Sequence, residues 1–282
     1  MKLKSIRLLL LSTAAVLLVA CGGSAEPTPT PWTEMFIHPR SDHPKISANG
    51  RFVAFSYGAT RLKDSTNDQQ GIYVHDLQTK ESERVSIGMR GQRPNDVSWG
   101  AINISADGRF VVFLSDASNL VPRDITRATD IFVYDRAAGE TALVPGGEGT
   151  STVSISANGR YVAYTSGFDL DADNSTSNFS VYVYDLLTDD VVLASILPDG
   201  KRHEGTSGFS TISADGRFVA YSSYYLDLDA DNSTASFLQD QIYVRDLQRR
   251  ETILVSITQE GKPSNGFNAL SSISADGRFV AF

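Results

Sequence analysis

Two acidic segments of the chain have the residue types and the spacing of a cation site. Both read Asp-Leu-Asp-Ala-Asp-Asn, and their oxygen-bearing residues are Asp169, Asp171, Asp173, Asn174, Asp227, Asp229, Asp231 and Asn232. Oxygens at positions 1, 3 and 5 of a tight turn match the first half of a calcium loop, since this hard cation takes several oxygen ligands. Position 12 is Ser180 or Leu238 instead of a bidentate Glu. Two interpretations stay open: a calcium site completed by carbonyl groups or water, and an acidic, solvated turn with Asx hydrogen bonds.

Other reactive side chains show no catalytic pattern. The four histidines, His38, His43, His75 and His203, have no metal-ligand spacing on a common element. The sequence also has no Gly-x-Ser-x-Gly segment, which is the usual sign of an α/β-hydrolase nucleophile. We therefore predict no catalytic residue in this chain and no cofactor other than calcium.

An internal repeat organises the elements that position these residues. The segment Ile-Ser-Ala-(Asp/Asn)-Gly-Arg-aromatic-Val-(Ala/Val)-aromatic occurs five times, and its copies begin at Ile46, Ile104, Ile155, Ile212 and Ile273. A second segment, apolar-aromatic-Val-x-Asp, follows in four repeats and begins at Ile72, Ile131, Val181 and Ile242. Repetition at this period is typical of stacked structural units.

Each repeat predicts four β-strands, which we name A to D in chain order. Asp-Gly or Asn-Gly between two β-prone runs is a strong hairpin signal, because both residues tolerate positive φ. The runs after the turn and in the second segment are apolar on both faces, as buried strands are. A third, more mixed segment, such as the one ending at Val85-Ser86, suits an outer strand. Four-stranded units at this period predict an all-β fold, a β-propeller.

An arginine follows the glycine of every predicted A–B turn. These residues are Arg51, Arg109, Arg160, Arg217 and Arg278. An anion-binding role is one interpretation, but recurrence in every repeat favours a structural one. We expect ion pairs with the aspartates that end the second segment, which are Asp76, Asp135, Asp185 and Asp246.

Length variation is confined to one end of the predicted blades. Strands C and D keep a spacing of 13 residues in all four repeats, whereas the A-to-C spacing is 26, 27, 26 and 30 and the D-to-next-A spacing is 19, 11, 18 and 18. In an antiparallel meander, the A–B and C–D turns share one end, the turn face, and the B–C and D–A loops share the other, the loop face. Because repeat proteins usually vary their binding surface, the loop face is the predicted binding site.

The repeat resembles a known family. Ser-Ala-Asp-Gly-Arg-Phe-Val-Ala-Phe followed by Asp-Ile-Phe-Val-Tyr-Asp is similar to the TolB-like propeller repeat, a relative of the WD-type repeats. The resemblance covers residues 44–282, with repeats from about 44, 102, 153, 210 and 271. It implies a β-propeller fold. TolB itself has an additional N-terminal α/β domain, which residues 32–43 are too short to supply, so TolB's partners are not transferred.

The first 31 residues have the form of a leader and a tether. Residues 1–20 combine a basic start with a 12-residue apolar run, Leu8 to Val19, as a secretory signal peptide does. Leu18-Val19-Ala20-Cys21 resembles the lipobox of bacterial lipoproteins, in which the cysteine carries the lipid. Residues 22–31, rich in Gly, Pro and Thr, read as a spacer before a propeller domain at 32–282. An ordinary signal peptide is the alternative.

Charge and cysteine content exclude several classes of function. The chain has 25 basic residues, of which Lys2, Lys4 and Arg7 lie in the leader, so 22 basic and 33 acidic residues follow it. A surface this acidic repels phosphate backbones, and we expect no nucleic-acid partner. With Cys21 as the only cysteine, an internal disulfide and a Cys-based zinc site are excluded.

The fifth repeat reaches only strand B at Phe282. We therefore expect a piece of a longer, six- or seven-bladed ring, which needs roughly 390–450 residues at this repeat length.

The leading functional hypothesis is a non-catalytic binding or scaffolding lipoprotein of the bacterial cell envelope, held at the membrane by its lipid. Its loop face would bind a protein, a peptide or a glycan. The alternative is the propeller domain of a truncated hydrolase, either a prolyl-oligopeptidase-like peptidase or a glycosidase. The sequence leaves the question of enzymatic activity open.

Overall fold

The computed structural model describes residues 41–57, 70–122, 128–147, 152–170, 179–202, 205–224, 240–264, 266 and 271–282. Within these ranges the regular secondary structure consists of β-strands and one short 3₁₀ segment, Met89–Gly91. The strands form four antiparallel sheets of four strands each and a final two-stranded hairpin. Each sheet corresponds to one predicted repeat, and we call the sheets blades 1 to 4.

The first two blades take up residues 41–143. Their strands are β1 (Ser41–Ile46), β2 (Phe52–Tyr57), β3 (Gly71–Asp76) and β4 (Ser82–Arg84) in blade 1, and β5 (Ser98–Ile104), β6 (Phe110–Ser115), β7 (Asp130–Asp135) and β8 (Glu140–Leu143) in blade 2. Strands B and C contain many aromatic and β-branched residues, which favour strands because they pack well on a pleated surface.

The next two blades and the hairpin repeat this order. Their strands are β9 (Val153–Ile155), β10 (Tyr161–Ser166), β11 (Ser180–Asp185) and β12 (Asp190–Leu193) in blade 3, β13 (Ser207–Ile212), β14 (Phe218–Tyr224), β15 (Asp240–Asp246) and β16 (Glu251–Leu254) in blade 4, and β17 (Ser272–Ile273) and β18 (Val280–Ala281) in the hairpin. The hairpin is the A–B pair of the fifth repeat.

The arrangement of the blades confirms the predicted propeller. Strands lie side by side in chain order within every blade. The first strands of successive blades contact one another, β1 with β5, β5 with β9, β9 with β13 and β13 with β17. Strand A is therefore the innermost strand. Strand D is the outermost, which confirms the prediction of an outer strand for the third segment.

The hydrophobic core lies between neighbouring blades. Between blades 2 and 3, Val112 and Leu114 of β6 belong to the same buried cluster as Tyr164 of β10 and Tyr182 of β11. The opposite face of blade 2 packs on blade 1 through Phe113 and its neighbours. Strands B and C are thus buried on both faces, which explains their continuous apolar runs.

The A–B turn has the same hydrogen bonds in every repeat. In blade 2, the Oγ of Ser105 donates to Asp107 Oδ1 at 2.6 Å and accepts from the backbone N–H of Phe110, while the N–H of Arg109 donates to the same Asp107 oxygen. The predicted hairpin is confirmed. Only the glycine, Gly108 in this blade, has a positive φ. The aspartate instead keeps negative φ and forms an Asx-type turn with its side chain.

The turn glycine also allows one blade to approach the next. A Cβ atom built on Gly159 of blade 3 would lie 2.0 Å from Cδ2 of Phe110 in blade 2. The corresponding glycines Gly108 and Gly216 lie equally close to Phe52 and Tyr161 of the blade before them. The aromatic residue of each repeat is thus covered by the turn of the next blade, and any side chain at this glycine would displace it.

Backbone hydrogen bonds join the same turns around the ring. The N–H of Ala106 donates to the carbonyl of Ala157 at 3.0 Å, Ala157 donates to Ala214, and Ala214 donates to Ala275. Because these residues occupy the same repeat position, each blade is held in a constant register against its neighbour.

The turn arginines form the predicted ion pairs. Arg51, Arg109, Arg160 and Arg217 bind Asp76, Asp135, Asp185 and Asp246 of the same blade at 2.6–2.7 Å. Hydrogen bonding to Arg217 lowers the pKa of Asp246 to about 2. Each arginine also lies over the next aromatic ring, Arg109 at 4.7 Å from the centroid of Phe110 for example. The structural interpretation of these arginines is therefore confirmed in four blades.

Candidate functional site

The strand pairing places the turn face and the loop face at opposite ends of the blades. All pairs within each blade are antiparallel, so the A–B and C–D turns lie together, away from the B–C and D–A loops. The predicted binding surface is therefore a single end of the propeller, and its described residues border the loops.

The structure describes one of the predicted calcium residues, Asp169, which follows β10 at the loop face. The other seven, Asp171, Asp173, Asn174, Asp227, Asp229, Asp231 and Asn232, lie outside the described residues. The Oδ1 atom of Asp169 accepts a hydrogen bond from Nη2 of Arg202 at 3.0 Å, and the two side chains are 12% and 28% exposed. Within the described ranges, no group of three or more His, Cys, Asp or Glu residues is placed to hold a metal ion. Calcium binding stays a prediction.

Cys21 and the predicted leader and tether also lie outside the described residues, and lipidation stays a prediction. Across the ranges that the structure covers, no helix combines the length and the apolar character needed to cross a bilayer. Two histidines are described: His43 lies on the innermost strand of blade 1, and Nδ1 of His75 lies 2.9 Å from the Oγ of Ser82 at the edge of the same blade.

Bulges shape the innermost strands on the side of the loop face. The pairing of strand A with strand B shifts in register between Trp99 and Asn103 in blade 2 and between Gly208 and Thr211 in blade 4. A residue of positive φ lies in each bulge, Gly100 at 78° and Phe209 at 47°. Bulges redirect side chains and are frequent at functional sites. A positive φ at a phenylalanine is a strained conformation, because a Cβ atom disfavours that region.

Exposed aromatic residues collect at the loop face. Trp99 on β5 is 38% exposed and Phe209 on β13 is 41% exposed. Phe168 follows β10 and is 52% exposed, and Phe179, which precedes β11, is 42% exposed. Large aromatic residues on a surface are typical anchors of protein, peptide and sugar binding, because they bury a large area at a low cost in side-chain entropy.

Polar groups surround these aromatic residues. The indole N–H of Trp99 donates to Asp116 Oδ2 at 3.3 Å, and Thr129 donates its hydroxyl to the other oxygen of Asp116. The carbonyl of Phe179 accepts from the N–H of Ser207 at the start of β13, which ties the B–C loop of blade 3 to the innermost strand of blade 4. The loop face thus combines exposed aromatic rings with hydrogen-bonding groups and the Asp169–Arg202 ion pair.

Our sequence reasoning located this face from loop lengths but missed its aromatic residues. One signal was present, because Trp99, Phe168, Phe179 and Phe209 all fall outside the repeated segments, whereas most aromatic residues of the core fall inside them. An aromatic residue that the repeat does not explain is a candidate for function. The bulges themselves carry no clear sequence signal.

Comparisons with known proteins identify the fold. No protein-family model matches the chain, and no curated protein matches it. Among solved structures, TolB from Acinetobacter baumannii superimposes with a TM-score of 0.51 and 17% identity over 85% of this chain and 47% of its own. A TolB-like protein from Agrobacterium tumefaciens superimposes with a TM-score of 0.52 and 17% identity over 86% of this chain and 69% of its own. The β-propeller domain of the Trilobed protease from Pyrococcus furiosus superimposes with a TM-score of 0.51 and 13% identity over 83% of this chain and 60% of its own. The chain has a TolB-like β-propeller fold.

The extent of these matches limits what they say about function. The chain spans about half the length of the Acinetobacter TolB structure. Identities of 13–17% show the fold alone. The function is therefore argued below from the residues of this chain, since one propeller fold serves many unrelated activities.

Proposed function

We propose that this chain is a non-catalytic binding or scaffolding module of the bacterial cell envelope, tethered to a membrane by a lipid on Cys21. Its loop face binds a protein, a peptide or a glycan. The observation that carries the proposal is the group of exposed aromatic residues, Trp99, Phe168, Phe179 and Phe209, on the face where the repeat lengths vary. A multiply acylated cysteine gives firm anchoring, because each buried methylene contributes about 0.8 kcal/mol.

Binding through the loop face is tested by selection followed by substitution. The purified chain is presented to a peptide display library, to a glycan array and to an envelope extract. The affinity of each retained ligand is then measured for the unaltered chain and for its variants. Trp99→Ala and Phe209→Ala are expected to weaken binding at least tenfold, since aromatic anchors dominate such interfaces. Leu187→Ala is the matched control, because Leu187 is 72% exposed at the turn face. Equal losses in all three variants would place the ligand elsewhere.

Anchoring through Cys21 is tested separately in cells. The unaltered chain is expected to incorporate radiolabelled palmitate and to sediment with membranes, whereas Cys21→Ser is expected to lose the label and to remain with the soluble fraction. Incorporation of label into Cys21→Ser would remove the lipoprotein proposal without affecting the binding proposal.

The second candidate is the propeller domain of a hydrolase. This candidate is supported by the propeller domain of the Trilobed protease, whose fold matches 83% of the present chain. The genomic sequence downstream of the codon for Phe282 distinguishes the two functions. A Gly-x-Ser-x-Gly segment at a strand–turn–helix beyond Phe282 would favour a peptidase. Further repeats followed by a stop codon would favour the binding module.

A further inference from the structure

A cleft of about 960 Å³ lies between blade 3 and blade 4. Apolar side chains line part of it, among them Val183, Val192 and Leu247. Its charged lining includes Arg245 and Arg250 of blade 4. These two arginines lie at the turn-face end of the cleft, away from the exposed aromatic residues of the loop face, and the function of the cleft does not depend on the function proposed above.

The cleft lies beside a repeat position whose residue type differs between blades. The position before the aspartate that ends strand C is Tyr134 in blade 2, Tyr184 in blade 3 and Arg245 in blade 4. Tyr134 and Tyr184 are buried in the clusters that join each blade to the one before it. The Tyr184 hydroxyl also donates to Asp189 Oδ1 at 2.6 Å. In blade 4 a cation occupies the place of this apolar ring.

The Arg245 guanidinium is only partly satisfied by the protein. Its Nη1 atom donates to Thr252 Oγ1 on the neighbouring strand at 3.0 Å. Its Nε atom is buried and has no hydrogen-bond partner among the described residues. Burial, and then the charge of Arg250, lower the pKa of Arg245. A guanidinium has five N–H donors, and a buried donor without a partner is costly, so an acceptor in the cleft would stabilise this arrangement.

The charges that line the cleft leave it suited to an anion. Asp185 is already paired with Arg160, and Arg217 is paired with Asp246. The Asp215 carboxylate accepts hydrogen bonds from Ser213 and from the N–H of Arg217. The lining then contains Arg245, Arg250 and one further carboxylate, that of Asp190. Val192 and Leu247 add apolar surface to the same lining.

We propose that this cleft binds a ligand that carries a carboxylate on an apolar body. The carboxylate accepts hydrogen bonds from the guanidinium of Arg245, and the apolar part lies against Val192 and Leu247. Charge-assisted bonds of this kind are among the stronger polar contacts in proteins. Two sources present this chemistry, the C-terminus of a peptide that ends in an apolar residue and a short fatty acid.

Three probes test the ligand class by calorimetric titration of the intact chain. They are acetyl-Ala-Ala-Leu with a free carboxylate, the same peptide as its C-terminal amide, and octanoate. The free acid is expected to bind about tenfold or more tightly than the amide, because one charge-assisted hydrogen bond is lost. Tighter binding of the peptide acid identifies a peptide C-terminus as the source, and tighter binding of octanoate identifies a fatty acid. Equal binding of acid and amide, or no binding of either acid at millimolar concentration, overturns the proposal.

Two substitutions locate the site. Arg245→Tyr restores the residue of blades 2 and 3, so it is expected to retain the fold and to abolish binding of the acids. Arg249→Ala removes an exposed arginine of the same turn that does not line the cleft, and it is expected to bind as the unaltered chain does. Melting scans confirm that both variants are folded. Unchanged affinity in a folded Arg245→Tyr variant would overturn the assignment.

Discussion

At the turn face equivalent contacts recur between neighbouring blades, whereas at the loop face the exposed aromatic residues occupy positions that differ from blade to blade. Gly159 lies against Phe110 and Gly216 lies against Tyr161 in equivalent contacts. On the loop face, Trp99 and Phe209 are exposed on bulged strands without an equivalent contact in each blade. The comparison indicates that repeated residues determine the stability of the ring, and that non-repeated residues determine what it binds.

The largest effect is expected from a side chain on a turn glycine. Gly159→Ala is expected to lower the free energy of unfolding by about 3 kcal/mol or more, since it combines a left-handed backbone with a clash against Phe110. Gly50→Ala is the matched control, because Gly50 has a φ of 71° but no atom within 4 Å of the added Cβ. It should cost only about 1–2 kcal/mol. Urea unfolding measures both, and equal losses would mean that the contact between blades contributes nothing.

Loss of one turn ion pair is expected to have a smaller effect. Asp246→Asn should lower the free energy of unfolding by about 1–3 kcal/mol, because the carboxylate that binds Arg217 is largely buried. Urea unfolding at neutral pH measures the change. A loss below about 0.5 kcal/mol would contradict a stabilising role for the pair. The matched control is Lys201→Ala. Lys201 forms an exposed ion pair with Asp199, so its removal is expected to change the free energy of unfolding little.

The same pairs predict how stability depends on pH. The pKa of Asp246 is lowered to about 2, and hydrogen bonds from the turn arginines also lower the pKa of Asp135 and of Asp185. Unfolded aspartates take up protons near pH 3.9, before the folded ones do. The stabilisation is therefore complete above about pH 5 and is lost as the pH falls toward 2. Urea unfolding at a series of acidic pH values should show this loss, with a shallower slope in Asp246→Asn.

Substitutions of the loop-face aromatic residues are expected to change stability little. Trp99→Ala and Phe209→Gly should each alter the free energy of unfolding by less than about 1 kcal/mol, because both rings are exposed and glycine relieves the positive φ at residue 209. Urea unfolding provides the measurement. A loss as large as that of Gly159→Ala would show that these rings support the fold instead of a ligand.

The smallest effect is expected from calcium. Calcium binding to the two acidic loops should raise the melting midpoint slightly, since a ligand of the folded state stabilises it by mass action. Dialysis against a chelator, followed by melting scans with and without calcium, measures the shift. An unchanged midpoint would leave the acidic, solvated turn as the interpretation of Asp169 and its neighbours.

The blade and its turn could be predicted from sequence because their determinants are local. The spacing of the Ser-Ala-Asp-Gly-Arg segment predicted both the hairpin and the Arg–Asp pairs, since each pair joins residues of adjacent strands in one blade. Only the structure showed the conformation of the turn aspartate, Asp107 in blade 2, which keeps negative φ while its side chain accepts a hydrogen bond from the N–H of Arg109. The aromatic residues of the loop face and the Arg245 cleft were not found, although each departs from the repeat.

By itself the sequence determined the repeat unit, its four strands and its ion pairs, because strand pairing and turn chemistry depend on residues a few positions apart. Only the tertiary structure decided which turn glycine covers which aromatic ring, which non-repeated aromatic residues stay exposed, and where a cleft opens beside Arg245. These features depend on how neighbouring blades stack. Side chains about 50–60 residues apart are brought together by the curvature of the ring, and no local pattern encodes that distance.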